Sequence, residues 1–256
     1  MKITFLGTCA CDFSPLLETE LKDKFDKNAR RSSSMLIDDR FLVDCGIHTL
    51  QSLSIAKKKI SAITDVFITH LHRDHYNVNN INEIAKSSSS TLRVWARSDA
   101  KLDGLENVEI MRMDQFKQYE VGDSFSVIGL DANHDQNVSP QHLYFKTNDK
   151  NLFYGCDGAW MFNKTYYFLK DKKLDLCVLD CTSGDYMGDF RMGEHNSIPM
   201  LRVMLPSLRT FKVIDDHSAI YFSHLAPSLH DTHDNTVKIA KTLGASVAYD
   251  GLEINI

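Results

Sequence analysis

Residues 66–75 read Val-Phe-Ile-Thr-His-Leu-His-Arg-Asp-His. An apolar run passes directly into His70, His72, Asp74 and His75, all within six residues. In an extended segment residues i and i+2 point the same way, so His70 and His72 can grip one ion together. Asp74 and His75 follow where the chain must turn, and they can face a second ion. Imidazole nitrogen with carboxylate oxygen suits zinc, manganese or iron. The motif holds no cysteine, which argues against a closed structural zinc site. The competing reading is a polar loop with solvated histidines, and the motif is too dense for that.

The chain around this stretch has 256 residues, enough for one large α/β domain or two small ones, and no obvious linker divides it. Hydrophobic residues make up 43% and charged residues 25%, an ordinary globular balance with ample material for a core. The formal charge of -5 disfavours a dedicated nucleic-acid binder, because neutralising phosphates needs a basic surface. A local basic cluster could still hold a small phosphorylated substrate. The opening Met-Lys-Ile-Thr-Phe-Leu-Gly-Thr is too short an apolar run for a signal peptide and reads as a strand. No stretch approaches the length of a membrane span. The six cysteines, at 9, 11, 45, 156, 177 and 181, lie mostly in apolar runs and read as reduced core residues. The expected location is cytoplasmic.

Residues 2–6 form the first expected strand. The polar segment 12–34 reads as a solvated surface loop, or as a flap over a cleft in which Arg30, Arg31 and Ser32 to Ser34 offer phosphate contacts. Arg31 and Ser33 are the substrate-binding candidates. Residues 35–37 and 41–44 make a hairpin about Asp38-Asp39-Arg40, 46–58 a helix, 63–69 a buried strand, 79–86 a helix, and 92–96 and 108–113 strands flanking a short helical turn. The pattern then restarts. Strands are expected at 124–133, 142–147, 151–156, 174–180, 219–223 and 246–248, with helices at 159–169, 197–211 (interrupted near Pro206) and 232–243. Running strands, helix, strand, helix twice over predicts two stacked sheets with helices outside. The whole is a single domain of two similar halves, about 1–120 and 121–256.

The local motif cannot complete two metal sites alone. His134, Asp157 and His224 each follow an apolar strand, as His70 does, and ligands at strand ends gather along one sheet edge. Each taken singly could be a turn former.

His-x-His-x-Asp-His at 70–75, with a later His, Asp and His, resembles the metallo-β-lactamase superfamily. That resemblance implies a four-layer αββα sandwich of two mixed sheets with a two-metal site at one sheet edge. More closely the chain is similar to the branch of phosphoribosyl cyclic phosphate phosphodiesterases of the carbon–phosphorus lyase pathway. The matching pieces are Thr-Phe-Leu-Gly-Thr at 4–8, Leu-Val-Asp-Cys-Gly-Ile-His at 42–48, Asn133-His134, Gly155-Cys156-Asp157, Leu-Asp-Cys-Thr at 179–182, Glu194-His195-Asn196, Ser223-His224 and Tyr-Asp-Gly-Leu-Glu-Ile at 249–254. The resemblance implies that His70, His72 and His134 hold one divalent ion, that Asp74, His75 and His224 hold the other, and that Asp157 bridges them. It also makes His195 the active-site histidine, with Asp74 serving the reaction as well as the ion. The bland alternative for His195 is a surface residue in a Gly-Glu-His-Asn turn. One departure is that residues 12–34 lack the cysteine cluster of that branch, so no third, structural metal is expected.

The expected activity is a binuclear phosphodiesterase acting on a small cyclic phosphate or nucleotide-like diester through a metal-bridging hydroxide, with zinc or manganese and iron as a further option. His195 would protonate the leaving oxygen or stabilise the transition state as imidazolium. The same ion pair could serve a carboxylic ester, lactone or thioester hydrolase. A tRNA 3′-processing endonuclease is disfavoured by net charge and by the lack of a tRNA-binding arm. An iron oxygen reductase would need a flavin domain, and a metal-binding scaffold would not need the full ligand set. The expected partner is a small phosphorylated substrate, not a nucleic-acid polymer or a membrane, and a homodimer is compatible with all this. Asp44 and His48 could orient ligands or cap a helix. His142, His217, His230 and His233 have no evident role. Trp95 and Trp160 read as core or cleft wall.

Overall fold

A computed structural model describes every residue except 123. The chain divides into two compact units, residues 1–112 with 248–256, and residues 113–247. The first sheet is built from β1 (Lys2–Gly7), β2 (Ser34–Ile37), β3 (Phe41–Val43), β4 (Asp65–Phe67), β5 (Leu92–Arg97), β6 (Val108–Met113) and the chain's last strand, β14 (Leu252–Asn255). Its order is β14-β1-β2-β3-β4-β5-β6, antiparallel from β14 to β3 and parallel from β3 to β5. The β2–β3 turn puts Asp38 and Asp39 at φ 50° and 55°, the left-handed pair that matches the twist of a tight hairpin. Helices α1 (Thr49–Ile55) and α2 (Val78–Ser87) supply the crossovers. Asn77 caps α2 by accepting from the Asn80 N–H, and Ile81, Ile84 and Ala85 form its buried stripe against Val66, Ile68 and Val94.

The second sheet repeats that succession. It contains β7 (Gln118–Gly122), β8 (Phe125–Asp131), β9 (Gln141–Lys146), β10 (Asn151–Gly155), β11 (Leu176–Asp180), β12 (Ala219–Ser223) and β13 (Ser246–Val247), in the order β13-β12-β11-β10-β9-β8-β7. Strands β7 to β10 form an antiparallel meander, and β10 to β13 run parallel. Helices α3 (Asn163–Leu169), α4 (Ile198–Thr210) and α5 (His233–Thr242) join the parallel strands. The core of this unit gathers Leu130, Phe153, Leu179, Leu201, Leu205 and Phe222. Helix α4 is continuous through Pro206, contrary to the expected interruption. Pro206 and Arg202, whose carbonyl loses its N–H donor, both lie on the exposed face, where water can replace the missing bond. No helix among the described residues is long and apolar enough to cross a membrane.

Within the first unit, the ends of β3 and β4 lie close together. The Asp44 N–H donates to the Phe67 carbonyl, Cys45 N–H to that of His75, and Asn77 N–H to that of Cys45, each at 2.8 Å. This approach requires a glycine at 46, because a Cβ there would run into the carbonyl of Asp74. Gly46→Ala is expected to destabilise the fold by about 3 kcal/mol through overpacking. Urea denaturation checks this, and an unchanged midpoint would refute it.

Candidate metal centre

In the first unit, the His70–His75 loop leaves the end of β4 with His70, Asp74 and His75 buried and His72 half-buried. One fully buried carboxylate, Asp44, organises them. Its Oδ1 accepts the Thr69 N–H at 2.8 Å, and its Oδ2 accepts Nδ1–H of His75 at 2.7 Å. The Thr69 hydroxyl donates to Asp44 at 2.9 Å, so its oxygen is left to accept Nδ1–H of His70 at 3.0 Å. The proton of both rings is thus held on Nδ1, and Nε2 is the nitrogen whose lone pair could ligate a metal. Accordingly, Nε2 of His70 meets Nδ1 of His72 at 3.1 Å, and Nε2 of His75 lies 3.4 Å from Asp74 Oδ2. Two imidazole nitrogens converging in this way share a cation readily. Burial pushes the Asp44 carboxyl upward, against the opposing pull of His75 and Thr69.

In the second unit, His134, Asp157 and His224 follow β8, β10 and β12. Asp157 and His224 adopt left-handed backbone conformations, each at φ 57°, as Asp44 does at 59°. Strained non-glycine positions of this kind cluster at functional sites. Asp157 Oδ1 lies 3.1 Å from Nε2 of His224 and 3.0 Å from Nδ1 of His195. Behind them sits Asp180, fully buried at the end of β11. It accepts the N–H groups of Thr182 and Asn196 at 2.9 Å, and its Oδ2 lies 3.1 Å from Nδ1 of His195. The Thr182 hydroxyl donates to Asp180 at 3.0 Å and accepts from Nδ1 of His224 at 2.8 Å. This is the Asp–Thr–His device of the first unit, built a second time. Nδ1 of His134 donates to the Glu194 carbonyl at 3.3 Å, which again makes Nε2 the ligating nitrogen. Ligand atoms of Asp157, Asp180, His195 and His224 all lie within 4.8 Å of one another, as do those of His134, Glu194 and His195. Buried imidazole and carboxylate groups of this type suit a divalent metal.

Two titrations follow from this packing. Burial alone would raise Asp180, but His195 and His224 more than offset it and hold the carboxyl well below the usual range. Burial alone would lower His195, but Asp180 and Asp157 reverse that and raise it to about 10. His195 is therefore an imidazolium at neutral pH in the ion-free site. A cation on Asp157 would weaken one of its two partners and leave Asp180.

Among the expected residues, His70, His72, Asp74 and His75 share one loop, and His134, Asp157, His195 and His224 share one cluster in the second unit. Arg31 and Ser33 require a correction, as both are fully buried. Arg31 Nε donates to Gln51 Oε1 at 2.9 Å, its Nη2 to the Leu21 carbonyl at 2.5 Å, and its N–H to Asp250 at 2.7 Å. The Ser33 hydroxyl donates to the Cys9 carbonyl. These hydrogen bonds pin the polar segment to the fold and do not suit the substrate-binding role expected of them. His48 accepts the Ser32 N–H. The residue that sequence reasoning passed over is Asp180, although its signal was present, since an apolar strand ends in a carboxylate there as β3 ends before Asp44. Asp180→Asn is expected to weaken metal affinity and turnover by about 10–100-fold, because both imidazoles lose their orienting acceptor. Metal titration alongside turnover measures it, and full retention of both would exclude the role.

Residues 1–89 match the family model described as the anti-Pycsar protein Apyc1. The chain matches no curated protein sequence. Its fold is similar to that of zinc-bound PqqB from Methylobacterium extorquens, at a TM-score of 0.76 and 16% identity, covering 100% of both chains. It is similar to the metallo-β-lactamase fold protein YhfI from Bacillus subtilis, at 0.75 and 17% identity, covering 99% of this chain and 98% of that one. A diphosphatase of the PhnP family aligns at 0.73 and 17% identity, covering 99% and 96%. The chain has the metallo-β-lactamase fold, as expected from its sequence.

Proposed function

We propose that this chain is a binuclear metal-dependent phosphodiesterase acting on a small phosphodiester. The observation that carries the reading is His195, whose Nδ1 is held by Asp157 and Asp180 while its Nε2 has no hydrogen-bond partner among the described residues. A charged imidazole fixed by two carboxylates is a proton donor placed beside a metal-ligand set. The proposed ligands are His70, His72 and His134 for one ion and Asp74, His75 and His224 for the other, with Asp157 shared. The donor chemistry of both units fits, and ions bound there would lower the pKa of water and neutralise charge on phosphoryl oxygens. Asp44 and Asp180 keep the ligand imidazoles in the correct tautomer. His195 holds a proton on Nε2 and delivers it to the leaving oxygen, while Asp180 stabilises its charge. The likeness to a PhnP-family diphosphatase supports phosphoryl chemistry.

The test is activity of metal-stripped protein titrated with manganese and with zinc on bis-p-nitrophenyl phosphate. Turnover is expected to saturate near two ions per chain. Two bound ions with turnover of p-nitrophenyl acetate alone would transfer the site to carbonyl esters.

A further inference from the structure

His195 also lines a cavity of about 220 Å³ that lies wholly within the second unit. Its walls are Trp160, Tyr186, Met192, Pro199, Met200 and Val203, with Ser183 and Ser197 among the few polar groups. No lysine or arginine lines it. The one carboxylate there, Asp189, is already answered, accepting Nε–H and Nη2–H of Arg191 at 2.8 and 2.9 Å and the Tyr186 hydroxyl at 3.1 Å. The cavity is therefore unsuited to a second phosphate. It is equally unsuited to a bare sugar, whose hydroxyls would lie against methionine and proline with few partners. Trp160 is 41% exposed, Val203 65% and Met192 54%. Exposed apolar side chains grouped around one hollow mark a binding site.

We propose that this cavity receives the leaving group of the ester, and that the leaving group carries an uncharged aromatic ring. The inference rests on the phosphodiesterase reading and narrows it. Water adds to phosphorus as the phosphorus–oxygen bond to that group breaks, the departing oxygen takes the proton from His195, and the proton lost by the attacking water restores the imidazolium. A flat ring can stack on Trp160 and make thioether contacts with Met192 and Met200. An apolar cavity of roughly 150 Å³ already holds benzene, so the space here admits one substituted ring or a fused pair. This departs from the sugar phosphate that the sequence resemblance implies.

The test compares benzylphosphonate with ethylphosphonate as competitive inhibitors of bis-p-nitrophenyl phosphate hydrolysis by the manganese-loaded enzyme. The two share one anionic head on a methylene and differ in carrying a phenyl ring or a methyl group. Benzylphosphonate is expected to bind about tenfold tighter or more, from burial of the ring. Val203→Glu is expected to remove that advantage. The chain has two tryptophans, and Trp95 is buried, so a benzyl-specific blue shift of emission that vanishes in Trp160→Phe reports the cavity directly. Equal inhibition by both compounds in an active enzyme overturns the aromatic assignment and leaves the phosphodiesterase reading standing. If no diester is hydrolysed, that reading fails instead. The emission titration then decides the cavity separately, a benzyl-specific shift upholding its aromatic preference and no shift overturning it.

Discussion

Exchange of His195 for alanine lowers phosphodiester turnover by about 100-fold or more and leaves the metal content unchanged. The expectation follows from what His195 touches. Its Nδ1 is engaged by Asp157 at 3.0 Å and Asp180 at 3.1 Å, so the ring is charged, oriented and placed at the cavity wall. Removing it takes away a proton donor. Asp180 keeps the Thr182 and Asn196 N–H groups and the Thr182 hydroxyl, so the fold around it survives. Turnover and bound metal measured on the same preparation settle the point. Unchanged turnover would sink the assignment, and lost metal would make His195 a ligand rather than a proton donor.

The larger effect belongs to Asp157. Asparagine is the appropriate replacement because it keeps the shape and tolerates the left-handed backbone at φ 57°, where alanine would add strain of its own. Asp157→Asn is expected to cut turnover by about 1,000-fold or more and to reduce bound metal by at least one ion per chain, because a shared carboxylate loses its charge. The thermal midpoint of the metal-free protein should stay near that of the parent. Elemental analysis beside a melting curve checks both halves of this expectation. Full metal occupancy in the variant would remove Asp157 from the ligand set.

Much of this site is legible in the chain because the candidate ligand side chains sit where apolar strands stop. The run Val66 to Thr69 before His70 shows it, as do Ile220 to Phe222 before His224. Strands of β-branched and aromatic residues announce themselves, and the polar residue after them is easily noticed. Two of the edge strands are not announced. Strand β7, Gln118–Gly122, carries Gln, Tyr and Glu on an exposed rim, and β14 alternates half-buried with exposed residues, so neither shows the apolar run of a central strand. Arg31 misleads for a different reason. An Arg-Arg-Ser run suggests anion contacts, but amide and backbone carbonyls can take the guanidinium protons instead, as those of Gln51 and Leu21 do here. Only the fold reveals that Asp250, 219 residues on, accepts the backbone N–H of Arg31. Asp180 went unread because a carboxylate ending a strand is also an ordinary turn former.

The return of residues 248–256 to the first unit carries a consequence for how the protein is made. Strand β14 pairs with β1, and Asp250 accepts the Arg31 N–H and the Thr8 hydroxyl, while Arg30 donates to Thr8 and to the Ala248 carbonyl. Synthesis proceeds from the N-terminus, so on the ribosome the first sheet waits with an unpaired β1 edge, the Arg31 N–H without Asp250 and the Arg30 guanidinium without the Ala248 carbonyl. The second unit has all its strands first. The half that is made first is therefore the later to close, because its sheet needs residues 248–256, which follow the whole of the second unit.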